Sequence, residues 1–324
     1  MAADPLALRI TEPELALVNT FNASHPNLLA RLDFANAGLP RLRLLIPQAH
    51  VEHAVLELYL HGATITAWQP EDALPVLWLS DASHWDPDRP IRGGVPLCWP
   101  WFGPHPDRPD RPAHGFARIN RWALVDIRTQ HDAVTVQTQL DSHTAQHSTL
   151  EQPWRCALTA RLAGPRFSTL HISLSVHNLG QTPLPFSEAL HTYFTVDDVR
   201  NIAIHGLQSR PYVDKTRDAQ TFTQQEPALR IAEHTDRVYT GFSGPVSLLD
   251  PGLNRRIDIR TEGSASTVVW NPWDRKAAAM PDFGNDEWPS MLCIEAANAL
   301  NDAILLQPGQ AHTLTQSISL HPAQ

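Results

Sequence analysis

The sequence predicts an all-β protein, a large antiparallel β-sandwich with few short helices. Three observations point there. The 324 residues include 28 prolines, which suit turns and sheet edges and interrupt helices. Many short runs alternate apolar and polar residues with a period of two. No long amphipathic helical pattern recurs between those runs, so βαβ units with a parallel sheet are not expected.

Residues 1–50 are the least regular part of the chain. Within them, Thr11-Glu12-Pro13-Glu14 followed by Leu15, Val18 and Phe21 predicts a short helix, with threonine as cap and proline early. From Ala54 the period is two. Ala54, Leu56, Leu58 and Leu60 share one face, Val55, Glu57, Tyr59 and His61 the other, and residues 62–68 continue as a β segment. Residues 122–127 and 133–140 are further strands. The clearest spans residues 167–177, where Leu170, Ile172, Leu174 and Val176 alternate with polar residues until Asn178-Leu179-Gly180 turns the chain. Residues 141–152 read as a polar surface loop. Residues 264–270 and 291–295 are shorter apolar runs, and a last strand over 311–320 follows the Pro308-Gly309 turn. With no internal repeat, low-complexity tract or shift in composition, residues 1–324 read as one domain.

Composition bounds the function. Hydrophobic residues at 42% supply a large core, and no run approaches the roughly 20 apolar residues of a membrane span. Met1-Ala2-Ala3-Asp4-Pro5 lacks a basic region followed by an apolar core, so no secretory signal is expected. Three cysteines without a CxxC pair fit the cytoplasm better than a disulfide scaffold. A net charge of −9 argues against nucleic acid as a partner. Lys215 and Lys276 are the only lysines. That bias reflects either the base composition of the genome or a use of arginine for bidentate anion recognition.

The densest chemistry lies in Ile91-Arg92-Gly93-Gly94-Val95-Pro96-Leu97-Cys98-Trp99-Pro100-Trp101-Phe102-Gly103-Pro104, too rich in glycine and proline for a regular helix or central strand. His114-Gly115-Phe116-Ala117-Arg118 follows. Together they read as one wall of a pocket for something anionic and partly flat. The rings of Trp99, Trp101 and Phe102 either fill core or form a platform for a sugar face. Arg92 and Arg118 are either surface charges or anion ligands, and His114 is either a turn residue or part of a site. His191 sits in an aromatic segment where packing is the commoner role of histidine. Glu295 follows an apolar run and precedes two alanines, which buries a carboxylate at a strand end; such glutamates are rare unless paired or functional. His143 and His147 have i,i+4 spacing but no acidic third ligand, so no metal is expected. No phosphate-cradling GxxxxGK, GxSxG or GxGxxG signature is present, and no cofactor is expected.

The blocks IRGGVPLCWPWFG and HGFAR, with Glu188-Ala189-Leu190-His191-Thr192-Tyr193-Phe194, Thr235-Asp236-Arg237-Val238-Tyr239, Trp270-Asn271-Pro272-Trp273 and Cys293-Ile294-Glu295-Ala296-Ala297-Asn298, resemble the aldose 1-epimerase (mutarotase) superfamily. They resemble its hexose-6-phosphate branch most, in matching order from about Leu56 to the C-terminal strand. The resemblance implies a galactose mutarotase-like supersandwich acting on a small-molecule sugar phosphate as a cytoplasmic monomer. By position it makes Glu295 the general base and His191 the general acid. His114 would polarise the sugar near its ring oxygen, Asp236 hold hydroxyls, and Arg92 and Arg118 recognise phosphate.

Anomer exchange needs a proton taken from the anomeric hydroxyl and one delivered to the ring oxygen, which a carboxylate and a histidine supply without metal or redox cofactor. Glu295 and His191 are expected to face each other across a cleft. The implied activity is interconversion of the α and β anomers of an aldohexose 6-phosphate. The rivals are a mutarotase for free aldohexoses, a non-catalytic carbohydrate-binding protein on the same fold, and a glycoside hydrolase. The last needs two carboxylates where one well-placed glutamate is visible.

Overall fold

A computed structural model of the chain describes residues 8–47, 53–146 and 148–323. The readings on Met1-Ala2-Ala3-Asp4-Pro5 and on His147 fall outside them. Among the described residues the fold is mostly β, with α-helices only at Glu12–Ser24 and Trp273–Ala278.

Glu12–Ser24 is the helix expected from its cap. Thr11 accepts from Glu14 N while the Glu14 carboxylate accepts from Thr11 N, a reciprocal arrangement worth about 1 kcal/mol. Val18 and Phe21 are buried, whereas Leu15 is exposed. Glu14 takes the inward place because its carboxylate also accepts from Arg121 and from Leu124 N, which ties the helix to the neighbouring sheet.

The first sheet is a four-stranded antiparallel meander of Leu29–Ala35, Leu39–Ile46, His53–Tyr59 and Thr64–Trp68. The expected alternation over residues 54–60 is imperfect. Tyr59 is also buried, against Leu39 and Ile91 in a small cluster of its own. Gly62 and Ala63 reverse the chain at positive φ, so Thr64–Trp68 returns beside His53–Tyr59.

Two larger sheets form the sandwich. The nine-stranded sheet has the long strands Arg255–Glu262, Ala311–Pro322, Thr169–Asn178, Trp154–Ala163, Ala133–Asp141 and Ala123–Gln130 as successive neighbours. Leu170, Ile172, Leu174 and Val176 are all buried, as their alternation predicts. The eight-stranded sheet runs from Gln220–Thr223 through Pro211–Asp214, Thr235–Thr240, Ser266–Asn271, Met291–Asn298 and Glu188–Leu190 to Leu97–Cys98, with Tyr193–Thr195 also paired to Met291–Asn298.

Met291–Asn298 is the strand that places the site, and all eight of its residues are buried. Side chains alternate across a sheet. Leu292, Ile294 and Ala296 join the interior cluster that also holds Leu314 and Ile318 of the facing sheet. Met291 and Cys293 pack in a cluster with Trp78 and Tyr193, and Ala297 in one with Cys98 and Ala189. Glu295 therefore leaves the sheet on the face turned away from the sandwich interior, under the loops that carry Arg92 and His114.

Candidate active site

His191 follows Glu188–Leu190, whose register opposite Met291–Asn298 pairs Leu190 with Ala296. Tyr193–Thr195 pairs with the same strand, Tyr193 opposite Cys293. The two segments are in one continuous register across the break at residues 191 and 192, which sets His191 directly opposite Glu295. Gln316 of the facing sheet holds the break. Its amide donates to Ile294 O and its carbonyl accepts from the Thr192 hydroxyl. His191 Nδ1 consequently lies 3.3 Å from Glu295 Oε1, with His191 6% and Glu295 1% exposed. They stand side by side, not across a cleft, because neighbouring strands separate opposite residues by only about 5 Å.

Burial dominates the electrostatics. It pushes the Glu295 carboxyl well above the usual carboxylate range, against the charges of Lys215 and Arg118, with Asp236 adding to the rise. It also pushes His191 well below the usual imidazole range, assisted by His114, Arg92, Arg118 and Lys215. The charged form of each group is disfavoured there, and a carboxyl and an imidazole this close titrate as a pair and not independently.

His114 stands beside the pair, its ring 5.7 Å from that of His191. Its backbone has φ of 66° and leads into Gly115, where a Cβ would lie 2.0 Å from Trp99 O; only glycine lets the two loop segments meet. Burial lowers the His114 pKa well below its ordinary value, assisted by Arg118, Lys215 and Arg92. Gly103 N donates to its Nδ1, so the neutral ring carries its hydrogen on Nε2 and presents a donor. Gly94, on the preceding loop, meets the same constraint, with a Cβ position 2.0 Å from Ile65 O.

The two arginines differ. Arg92 donates from Nε and Nη2 to Asp282 Oδ2, at 3.2 and 2.9 Å, and from Nη1 to Tyr193 OH. Its fork is thus engaged, and it acts on the site through Tyr193, whose ring stacks on His191 at 4.7 Å. Arg118 is 9% exposed and donates from Nη2 to Ala113 O, and among the described residues no carboxylate lies within 4 Å of it. Burial lowers its pKa, the mark of a cation short of counter-charge.

Asp236 lies in register with Trp270 on the neighbouring strand, which is in turn opposite Cys293, so it borders the same face. Its carboxyl, raised by burial, lies 3.8 Å from Lys215 Nζ. Lys215 was not singled out in the sequence as a site residue, yet its ammonium sits 4.5 Å over the Phe102 ring and acts on His114, His191 and Glu295. Its isolation among arginines was the available signal. Of the aromatic wall, Trp99 and Trp101 are core, while Phe102 borders the site, 5.1 Å from His114. His143 is on an exposed turn.

The fold is that of a mutarotase-like β-sandwich. A family model described as aldose 1-epimerase matches residues 48–319, and the chain belongs to that family. A protein of Cenchrus ciliaris provisionally named glucose-6-phosphate 1-epimerase is 32% identical over 290 residues, covering 88% of this chain and 86% of the relative. One of the same provisional name from Escherichia coli K12 is 33% identical over 259 residues, covering 80% and 84%. The crystal structure of a provisionally assigned mutarotase from Salmonella typhimurium superposes with a TM-score of 0.80 at 27% identity, covering 92% of this chain and 94% of that one.

Proposed function

We propose that the protein interconverts the α and β anomers of an aldohexose 6-phosphate, glucose 6-phosphate first among them, as a monomeric cytoplasmic enzyme. The observation that carries the phosphate ester over the free sugar is Arg118, a buried guanidinium with no carboxylate within 4 Å among the described residues. A dianionic ligand supplies what it lacks, in the bidentate geometry arginine favours. Lys215 adds a second positive charge on the same face. The names of the relatives agree with this reading.

Glu295 takes the proton of the anomeric hydroxyl as His191 delivers one to the ring oxygen. Those two oxygens share one carbon, so acid and base 3.3 Å apart serve both. A pair holding one proton exchanges it internally to give carboxylate and imidazolium, the state in which ring opening starts. His114 Nε2–H donates to the sugar near its ring oxygen, and Asp236 accepts from hydroxyls at the rim. The open-chain aldehyde rotates about its C1–C2 bond and recloses on its other face, with the two groups in reversed roles.

NMR exchange spectroscopy with glucose 6-phosphate, glucose and galactose tests the substrate assignment. The account expects catalysed exchange of the phosphate ester at concentrations where the free hexoses exchange near their uncatalysed rates. Equal catalysis of all three would favour the free-sugar mutarotase.

A further inference from the structure

Cys293 has no part in the acid–base chemistry, yet it lies within it. It precedes Glu295 by two residues on one strand, so both side chains leave the same face of the sheet. One ligand atom each from Cys293, His191 and Glu295 fall within 4.8 Å of one another. Among the described residues, His191 Nδ1 and Glu295 Oε2 are buried without a hydrogen-bond partner. Thiolate, imidazole and carboxylate are the donors a borderline-soft divalent cation prefers. Tetrahedral zinc, with bonds of roughly 2.0–2.3 Å, holds its ligand atoms about 3.5 Å apart. The His191–Glu295 contact of 3.3 Å already meets that spacing, and the sulfur needs a shift of about an ångström.

We propose that His191, Cys293 and Glu295 form an inhibitory site for a thiophilic divalent cation such as zinc, which excludes the sugar by occupying the acid–base pair. The inference rests on the reading of that pair as the catalytic groups. Arg92, Arg118 and Lys215 would repel a bare dication, but thiolate and carboxylate cancel its two charges. The complex forms with release of the Cys293 proton and of the single proton that Glu295 and His191 share. Sulfur–metal, oxygen–metal and nitrogen–metal bonds replace the S–H bond and the shared O–H or N–H. Mg²⁺, which demands oxygen ligands in octahedral array, does not fit.

Cobalt absorption and anomer exchange, measured on the full chain, test it together. Titration with Co²⁺ alone should give a thiolate-to-cobalt charge-transfer band saturating near one equivalent, displaced by Zn²⁺ and lost in Cys293→Ser. Zn²⁺ should inhibit exchange of glucose 6-phosphate competitively and reversibly by chelator, and Mg²⁺ should not. In Cys293→Ser, scaled to its own metal-free rate, the inhibition constant for Zn²⁺ should rise at least tenfold. Absence of the band, or equal Zn²⁺ inhibition in both proteins, overturns the proposal. A cysteine-dependent band without inhibition also overturns it, and locates the failure in the acid–base reading, because the metal would then be bound where it blocks no reaction.

Discussion

His191, in the break between Glu188–Leu190 and Tyr193–Thr195, stands in register opposite Glu295 of Met291–Asn298. Continuing the pairing of Leu190 with Ala296 by one residue brings His191 Nδ1 to 3.3 Å from Glu295 Oε1. Proximity here comes from the sheet ladder and not from a loop, and Gln316 fixes it from the facing sheet. Precision of that kind matters to proton transfer, whose partners must stay within hydrogen-bond reach of the reacting oxygens.

The pH profile follows from the buried pair. Adding a second proton leaves it positive and removing the only one leaves it negative; burial opposes both. Burial raises Glu295 and lowers His191, favouring the neutral form of each, and the expected outcome is a one-proton state that outlasts on both sides the window of roughly 4.3 to 6.5 of an exposed pair. The turnover number for anomer exchange should therefore be flat through neutrality. Its acid limb should fall below that window, where the second proton binds, and its alkaline limb above it. Loss of activity centred at or below about pH 6.5 on the alkaline side would refute the assignment.

Arg118→Ala removes the guanidinium that has no carboxylate within 4 Å among the described residues. A charge-assisted hydrogen bond to phosphate is worth roughly 1.5–3 kcal/mol, or about ten- to a hundredfold in affinity. The KM for glucose 6-phosphate should rise by that factor, with any residual catalysis on free glucose little changed. Equal losses on both sugars would make the arginine structural.

Gln316→Leu keeps side-chain volume but removes both bonds that hold the break at Thr192. The protein should lose about 1–3 kcal/mol of stability, since the Ile294 carbonyl is left buried without Gln316. More tellingly, the turnover number should drop, by up to about a hundredfold for a misplacement near 1 Å, while calorimetry shows glucose 6-phosphate binding unchanged. A parallel loss of binding would mean that Gln316 supports the whole site and not His191 in particular.

Much of this was legible in the sequence because period-two patterns report which face of a strand is buried. The strand expected over residues 167–177 could be read in that way, residues 291–295 only as an apolar run, and the first helix from its cap. Glu295 was legible as a carboxylate set in an apolar run. Contacts between distant segments were not. Nothing local to Gln316 shows that it reaches Thr192, nor does any spacing show that Asp282 engages Arg92. Trp99 and Trp101 were ambiguous because a ring in a loop packs inward or outward according to its surroundings, and here they are core. Cys293 and Lys215 become site neighbours only through strand order.

Glu188 illustrates the same limit. It is fully buried on the interior face, its two carboxyl oxygens lack hydrogen-bond partners among the described residues, and His312 Nε2 lies 3.4 Å away. Burial pushes its pKa well above the ordinary value. The folded protein therefore keeps a proton that the unfolded chain releases above about pH 4.3. Stability should fall as pH rises from there to the folded-state value, by up to about 1.4 kcal/mol per pH unit from this group. Glu188→Gln removes that dependence. Its melting temperature relative to the parent should climb between pH 4.5 and 7.5, and a difference independent of pH would contradict the buried neutral acid.

Glu295→Gln is the most direct test of the central claim. The amide preserves the shape of the side chain and its place opposite His191, but it cannot accept the anomeric proton as a base. Exchange spectroscopy on glucose 6-phosphate should show the catalysed rate falling by about a hundredfold or more, the scale of a lost general base, with the dissociation constant for the sugar within a few-fold of the parent. Near-normal exchange in Glu295→Gln, with binding intact, would contradict Glu295 as the base and the acid–base account built on it.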